Sequence, residues 1–182
     1  MKIINVKSTI KVLILLIAAA HFTVTATLAA DNNGPELPAV CSHIEVDSDQ
    51  NVAFHAYAIG VQIYRWSGST WELKAPDAVL YSDPNYRGKI GTHYAGPIWE
   101  TNSGSAVKGT RMDGCDVDPD NSIQWLLLQT AYTEGAGVFS KVTYIQRVNT
   151  SGGLKPATPG IITGEEKRIP YTAEYYFYRG GG

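Results

Sequence analysis

Apolar and polar residues alternate with a period of two along several stretches of this chain, and that alternation admits few architectures. Ile169, Tyr171, Ala173, Tyr175 and Phe177 alternate with Pro170, Thr172, Glu174, Tyr176 and Tyr178. Successive side chains of a strand point to opposite faces, so a two-residue period marks a strand that buries one face. Val52, Phe54, Ala56 and Ala58 repeat the pattern, with Ala53, His55, Tyr57 and Ile59 between them. At Gly60 the phase shifts by one, Val61 and Ile63 continuing the first face, as expected of a bulge or strand bend.

Turn chemistry separates these runs at short intervals. Ser67–Thr70 closes a hairpin onto a return strand over Trp71–Ala75, Asp83–Gly88 turns the chain into a strand over Lys89–Tyr94, and Asn102–Ser105 leads to a strand over Ala106–Met112. Ile123–Ala131 reads as helix by its leucines and as a buried strand by its length, and strand is preferred. Val138–Val148 is rich in β-branched and aromatic residues and ends at the turn Asn149–Gly153. About seven strands with turn signals every ~8–12 residues predict an all-β fold: an antiparallel β-sandwich or open barrel, with at most one or two short helical turns.

The ends set the compartment. Lys2, Lys7 and Lys11 precede the apolar run Val12–Ala20, and small residues over Ala26–Ala30 offer cleavage sites, the pattern of a signal peptide over residues 1–30. Residues 31–50 read as a flexible leader and 51–182 as one β domain. Without the first 30 residues the chain has 12 basic and 17 acidic residues, a net charge of −5. A mildly acidic chain without Lys/Arg clusters argues against nucleic acid and anionic membrane as partners, and no membrane span is expected after the leader. Cys41 and Cys115 are an even pair in an exported chain, so a disulfide is expected on compartment alone.

The chemistry-bearing motifs are sparse. A dinucleotide fold needs Gly-x-Gly-x-x-Gly between a strand and a helix. Gly135-Ala-Gly-Val-Phe-Ser140 lacks the third glycine and runs toward a strand, so the chain is not an NAD-dependent dehydrogenase, and no cofactor is assigned. No Gly-x-Ser-x-Gly elbow occurs. Asp116, Asp118 and Asp120 have the spacing of a calcium-loop start, but Asn121 and Leu127 replace the Gly and Glu such a loop requires, leaving weak metal candidates. His93 and Glu100, on either side of the stiff bend Ala95-Gly-Pro97, are candidates with Trp99 for one site, joined by His55 or Gln146 from neighbouring strands.

Four blocks carry a family resemblance: His55–Trp66, Gly91–Glu100, Val142–Gly153 and Pro170–Tyr178. In that order, over about residues 52–178, the chain resembles the domain-of-unknown-function family 3455. The resemblance implies an exported β-rich domain of bacteria and filamentous fungi and brings no activity with it. Relatives often carry a cysteine near the position of Gly160, where this chain departs from them.

These readings converge on an exported β domain that binds a small molecule or carbohydrate without catalysis, through His93, Trp99, Glu100, His55 and Gln146. The alternatives are a metal-assisted or acid/base enzyme centred on His93 and Glu100, and a structural component of the envelope or cell surface. The sequence assigns no oligomeric state.

Overall fold

A computed structural model describes residues 34–181. The predicted signal peptide therefore lies outside the described residues. Eight strands follow in chain order: β1 (Gln50–Trp66), β2 (Trp71–Tyr81), β3 (Lys89–Tyr94), β4 (Ile98–Thr101), β5 (Ala106–Cys115), β6 (Trp125–Glu134), β7 (Tyr144–Gly152) and β8 (Glu166–Gly180). Each pairs antiparallel with the next, and β1 pairs with β8 from Gln50↔Gly180 to Arg65↔Glu166. The all-β single domain expected from the alternation is thus a closed barrel. Pairing of β1 with β8 removes the two free outer strands that an open barrel or sandwich would keep.

The alternation of β8 is reproduced in burial. Tyr171, Ala173, Tyr175 and Phe177 fill the interior, each no more than 3% exposed. On β1 the phase runs straight through Gly60, contrary to the expected shift. Ala56, Ala58, Gln62 and Tyr64 are all buried on one parity. The extra residues lie near the strand ends instead, at Val52/Phe54 against β8 and at Ile63/Tyr64 against β2. Gly60 serves curvature: a Cβ there would stand 2.2 Å from the Asp77 carbonyl oxygen, so only glycine lets the two backbones approach this closely.

The interior is graded along the barrel axis. Phe54, Phe139 and Phe177 close one end, with ring centroids 4.5–5.9 Å apart. Phe139 and Val142 belong to a loop, not to the strand expected over Val138–Val148. Gly135 and Gly137 take positive φ there, and Ser105 Oγ accepts a hydrogen bond from the Phe139 amide. Small residues come next: Ala56, Ala58, Ala78 and Ala173. Ala58 pairs with Ala173 across the closing seam, and small facing small leaves interior space for Trp99 and for the cavity beside it.

A second apolar cluster lies on the outer face of β6, β7 and β8. A 3-10 helix, Ala39–Ile44, covers it. Cys41 and Ile44 are fully buried, and Cys41 is bonded to Cys115 with the Cα atoms 5.5 Å apart. This part of the expected flexible leader is therefore packed. The disulfide anchors it at the end of β5, and Trp125, Leu127, Val148 and Tyr178 give its apolar side chains a surface to bury. The acidic loop is shorter than expected, because Asp113–Cys115 continue β5.

Candidate functional site

Strands β3 and β4 have six and four residues, and their shortness shapes the site. β2 pairs with β3 only over Ala78–Tyr81, and β5 pairs with β4 only over Ala106–Lys108. Beyond the β3–β4 turn, the first half of β2 and the second half of β5 each keep one strand neighbour, β1 and β6. The barrel wall therefore has a notch there. Gly96 (φ +142°) and Pro97 form its sill, Lys74, Ala75 and Pro76 one jamb, and Lys108, Gly109 and Arg111 the other. Pro76 suits this edge because it has no N–H to leave unpaired.

Behind the notch lies a cavity of about 510 Å³, backed by Gln62, His93, Trp99, Leu126, Leu128, Arg147 and Tyr175. His93 and Trp99 pair across β3 and β4, so both point inward. Their rings stack at 4.2 Å with planes 9° apart, and the Tyr175 ring meets each edge-on at 5.2 Å. His93 Nδ1 lies 2.9 Å from the Ile98 carbonyl oxygen. A carbonyl only accepts, so Nδ1 carries the proton. Burial pushes the His93 pKa down to about 3, against the weaker opposing pull of the Ile98 bond. The ring is therefore neutral at physiological pH, with Nε2 as an acceptor.

Two other lining side chains are buried without satisfaction. Gln62 is 2% exposed, and neither its Oε1 nor its Nε2 has a hydrogen-bond partner. Trp99 Nε1 is likewise unpartnered. Arg147 donates from Nε and Nη2 to the Gln124 carbonyl, at 3.1 and 2.8 Å.

The other expected site residues lie elsewhere. Glu100 pairs with Thr92 and faces outward, where it accepts a hydrogen bond from Tyr94 Oη at 2.7 Å. Trp99 and Glu100 are consecutive strand residues, so their side chains take opposite faces and cannot share one site. His55 is on the outer wall as well, stacked on Tyr176 at 4.0 Å and 2.8 Å from Glu174 Oε2. Burial lowers its pKa, partly offset by Glu174. Gln146 is buried beneath the 3-10 helix, donating to the Ile44 carbonyl at 2.7 Å and accepting from Tyr178 Oη. Asp116 accepts from Gln124 and Asp118 from Asn121, while Asp120 joins neither bond. Among the described residues no three His, Cys, Asp or Glu side chains group as a metal site would require. Sequence reasoning missed Gln62 and Arg147. Both are polar residues on the inward-facing parity of their strands, Arg147 sharing it with Ile145, and the misplaced phase shift at Gly60 put Gln62 on the wrong face.

The family described as a protein of unknown function, DUF3455, matches residues 47–179, from just before β1 to the penultimate residue of β8. The chain belongs to the DUF3455 family. The match spans every strand of the barrel and all the cavity-lining residues, so the notch and cavity lie within the family's own domain. No curated protein and no solved structure matches the chain.

Proposed function

We propose that this DUF3455 domain is an exported binding protein that takes a small molecule into its barrel cavity without catalysis. The observation that carries this reading is the Gln62 amide, buried beside the cavity with both polar atoms unpartnered. A buried amide without partners costs roughly 1–3 kcal/mol, and a bound molecule supplying a donor and an acceptor removes that cost. The cavity volume of about 510 Å³ falls in the range of small-molecule sites, roughly 300–1,000 Å³. Trp99, Leu126 and Leu128 offer apolar walls, and the rigid stack of His93 on Trp99 limits the ordering cost of binding.

Several observations favour a small molecule over the other classes. A carbohydrate platform needs an exposed indole face, whereas the four Trp residues are each at most 9% exposed. Acid/base chemistry between His93 and Glu100 lacks support, because they occupy opposite faces of the wall. The Cys41–Cys115 bond supports export, since disulfides persist in oxidising compartments.

The test is a fluorescence titration of the disulfide-bonded protein with N-phenyl-1-naphthylamine, an uncharged apolar probe. The expected result is saturable one-to-one binding with quenching of tryptophan emission. Ala75→Phe, which places a ring on the jamb of the notch, should weaken binding at least tenfold. Glu100→Gln, outside the cavity, should leave it unchanged. Absence of binding to the wild-type protein, or equal binding to Ala75→Phe, overturns the reading.

A further inference from the structure

The cavity is electrostatically one-sided. The charged residues around it are Lys74, Lys108, Arg111 and Arg147, and no Asp or Glu joins them, although the chain has 17 acidic residues against 15 basic. Lys74 is neutralised by Glu166 at 2.7 Å. Lys108 lies 5.8 Å above the Tyr132 ring, and Arg111 bonds the neutral amide of Gln124. Arg147 is the innermost of the four. It is half-buried, its hydrogen bonds go to neutral groups, the Gln124 carbonyl and the Tyr175 hydroxyl, and no carboxylate of the described residues lies within ion-pair distance of it. Its field reaches His93, Tyr171 and Tyr175, which places the uncompensated charge within the barrel.

Donors outnumber acceptors among the unpartnered groups. Trp99 Nε1 only donates and the Gln62 amide nitrogen offers two further donor hydrogens, against the single acceptor Gln62 Oε1. Half-buried positive charge is costly unless paired, and a guanidinium is suited to bidentate pairing with an oxyanion. Leu126 and Tyr175 flank Arg147 as its cross-strand neighbours, and with Leu128 they give the cavity an apolar and aromatic lining beside the guanidinium.

The geometry points to a specific ligand class: a small organic anion, with its carboxylate held by Arg147, Gln62 and Trp99 and its apolar body against Leu126 and Leu128. It enters through the notch between β2 and β5, past Lys108 and Arg111. This inference rests on the cavity-binding function proposed above and adds the charge of the ligand. His93 Nε2, the acceptor on the neutral ring, suits a hydroxyl elsewhere on the same molecule.

Two probes that differ in one charged group test the inference. 8-Anilinonaphthalene-1-sulfonate has the body of N-phenyl-1-naphthylamine plus a sulfonate. The anionic probe should bind at least tenfold more tightly to the wild-type protein, and dodecanoate should displace it where dodecanol does not. Arg147→Met should abolish the preference while leaving the affinity for the uncharged probe within about twofold. If loss of the Gln124 bonds unfolds that variant, the double substitution Lys108→Met/Arg111→Met at the rim of the notch should still cut the preference severalfold. Equal affinity of the two probes for the wild-type protein overturns the anion inference and leaves the cavity function standing. So does a preference that survives in every folded variant. Failure of the uncharged probe to bind removes the cavity function itself, and the inference with it.

Discussion

The His93 imidazole lies flat on the Trp99 indole, with ring centroids 4.2 Å apart and planes 9° apart, in the wall of a cavity that opens between β2 and β5. Offset stacking of this kind holds both rings in one orientation, and the Nδ1 bond to the Ile98 carbonyl fixes the tautomer. The pair is buried, so protonating His93 means placing a charge against an indole away from water.

That arrangement sets a pH dependence of stability. The folded ring titrates at about 3, whereas in the unfolded chain it titrates near its ordinary value of 6.5. Between those values the unfolded state holds the proton and the folded state does not. Stability therefore falls as pH drops through the window, by up to about 1.4 kcal/mol per pH unit from this residue. His55, lowered by burial, acts in the same direction. Urea unfolding at pH 7, 6 and 5 should show this slope, and His93→Gln should flatten it. Parallel slopes in the two proteins would remove His93 as the cause.

Gln62→Leu should make the protein more stable and a poorer binder. Leucine removes two buried polar atoms that have no partners, for a gain of roughly 1–3 kcal/mol in urea unfolding at unchanged m-value. The same change should weaken binding of the naphthylsulfonate probe severalfold. Lower stability in the variant would mean that the amide is satisfied inside the folded barrel.

Gly60→Ala should be strongly destabilising. The added Cβ would meet the Asp77 carbonyl oxygen at 2.2 Å and the Ala78 backbone at 2.4 Å, so the β1–β2 pair must separate. A loss of roughly 2 kcal/mol or more is expected, beyond the usual range for surface changes. Gly104→Ala is the control for volume, since nothing lies within 4 Å of its Cβ position, although its φ of +84° carries some strain.

The Cys41–Cys115 bond spans 74 residues of sequence and contributes about 4 kcal/mol by restricting the unfolded chain. Reduction, or Cys41→Ala with Cys115→Ala, should lower the urea midpoint accordingly. It should also release the 3-10 helix before the barrel opens, because the helix is held by the bond and by the packing of Ile44. Hydrogen exchange should then show early loss of protection over residues 39–46 with β6–β8 still protected. Simultaneous loss in both regions would show that the helix and the barrel unfold as one unit.

Much of the architecture was legible in the sequence, because the two-residue period is a local property of each strand. The β8 alternation, the Ser67–Thr70 hairpin and the β3 strand were all readable without knowing their partners. His93 and Trp99 were readable as site candidates from the stiff turn between them. Their neighbour Glu100 was misassigned because Ile98–Thr101 was not recognised as a strand, within which consecutive side chains must diverge. The cysteine count and the expected compartment pointed to the disulfide, but only the fold brings residues 41 and 115 to a Cα separation of 5.5 Å.

What the tertiary structure decided was non-local. Alternation gives a strand two faces without saying which one is inside, so Gln146 and His55 were as plausible as Gln62 and Arg147. Closure depends on pairing β1 with β8, more than 100 residues apart in sequence, and on where the register shifts fall. The notch exists because β3 and β4 are shorter than the strands beside them, a mismatch visible only once the four strands are aligned. Sequence by itself determined that this chain forms strands and where most of them turn. The tertiary structure decided which side chains face the cavity, since inward direction, closure and the missing stretch of wall all follow from contacts between segments far apart in the chain.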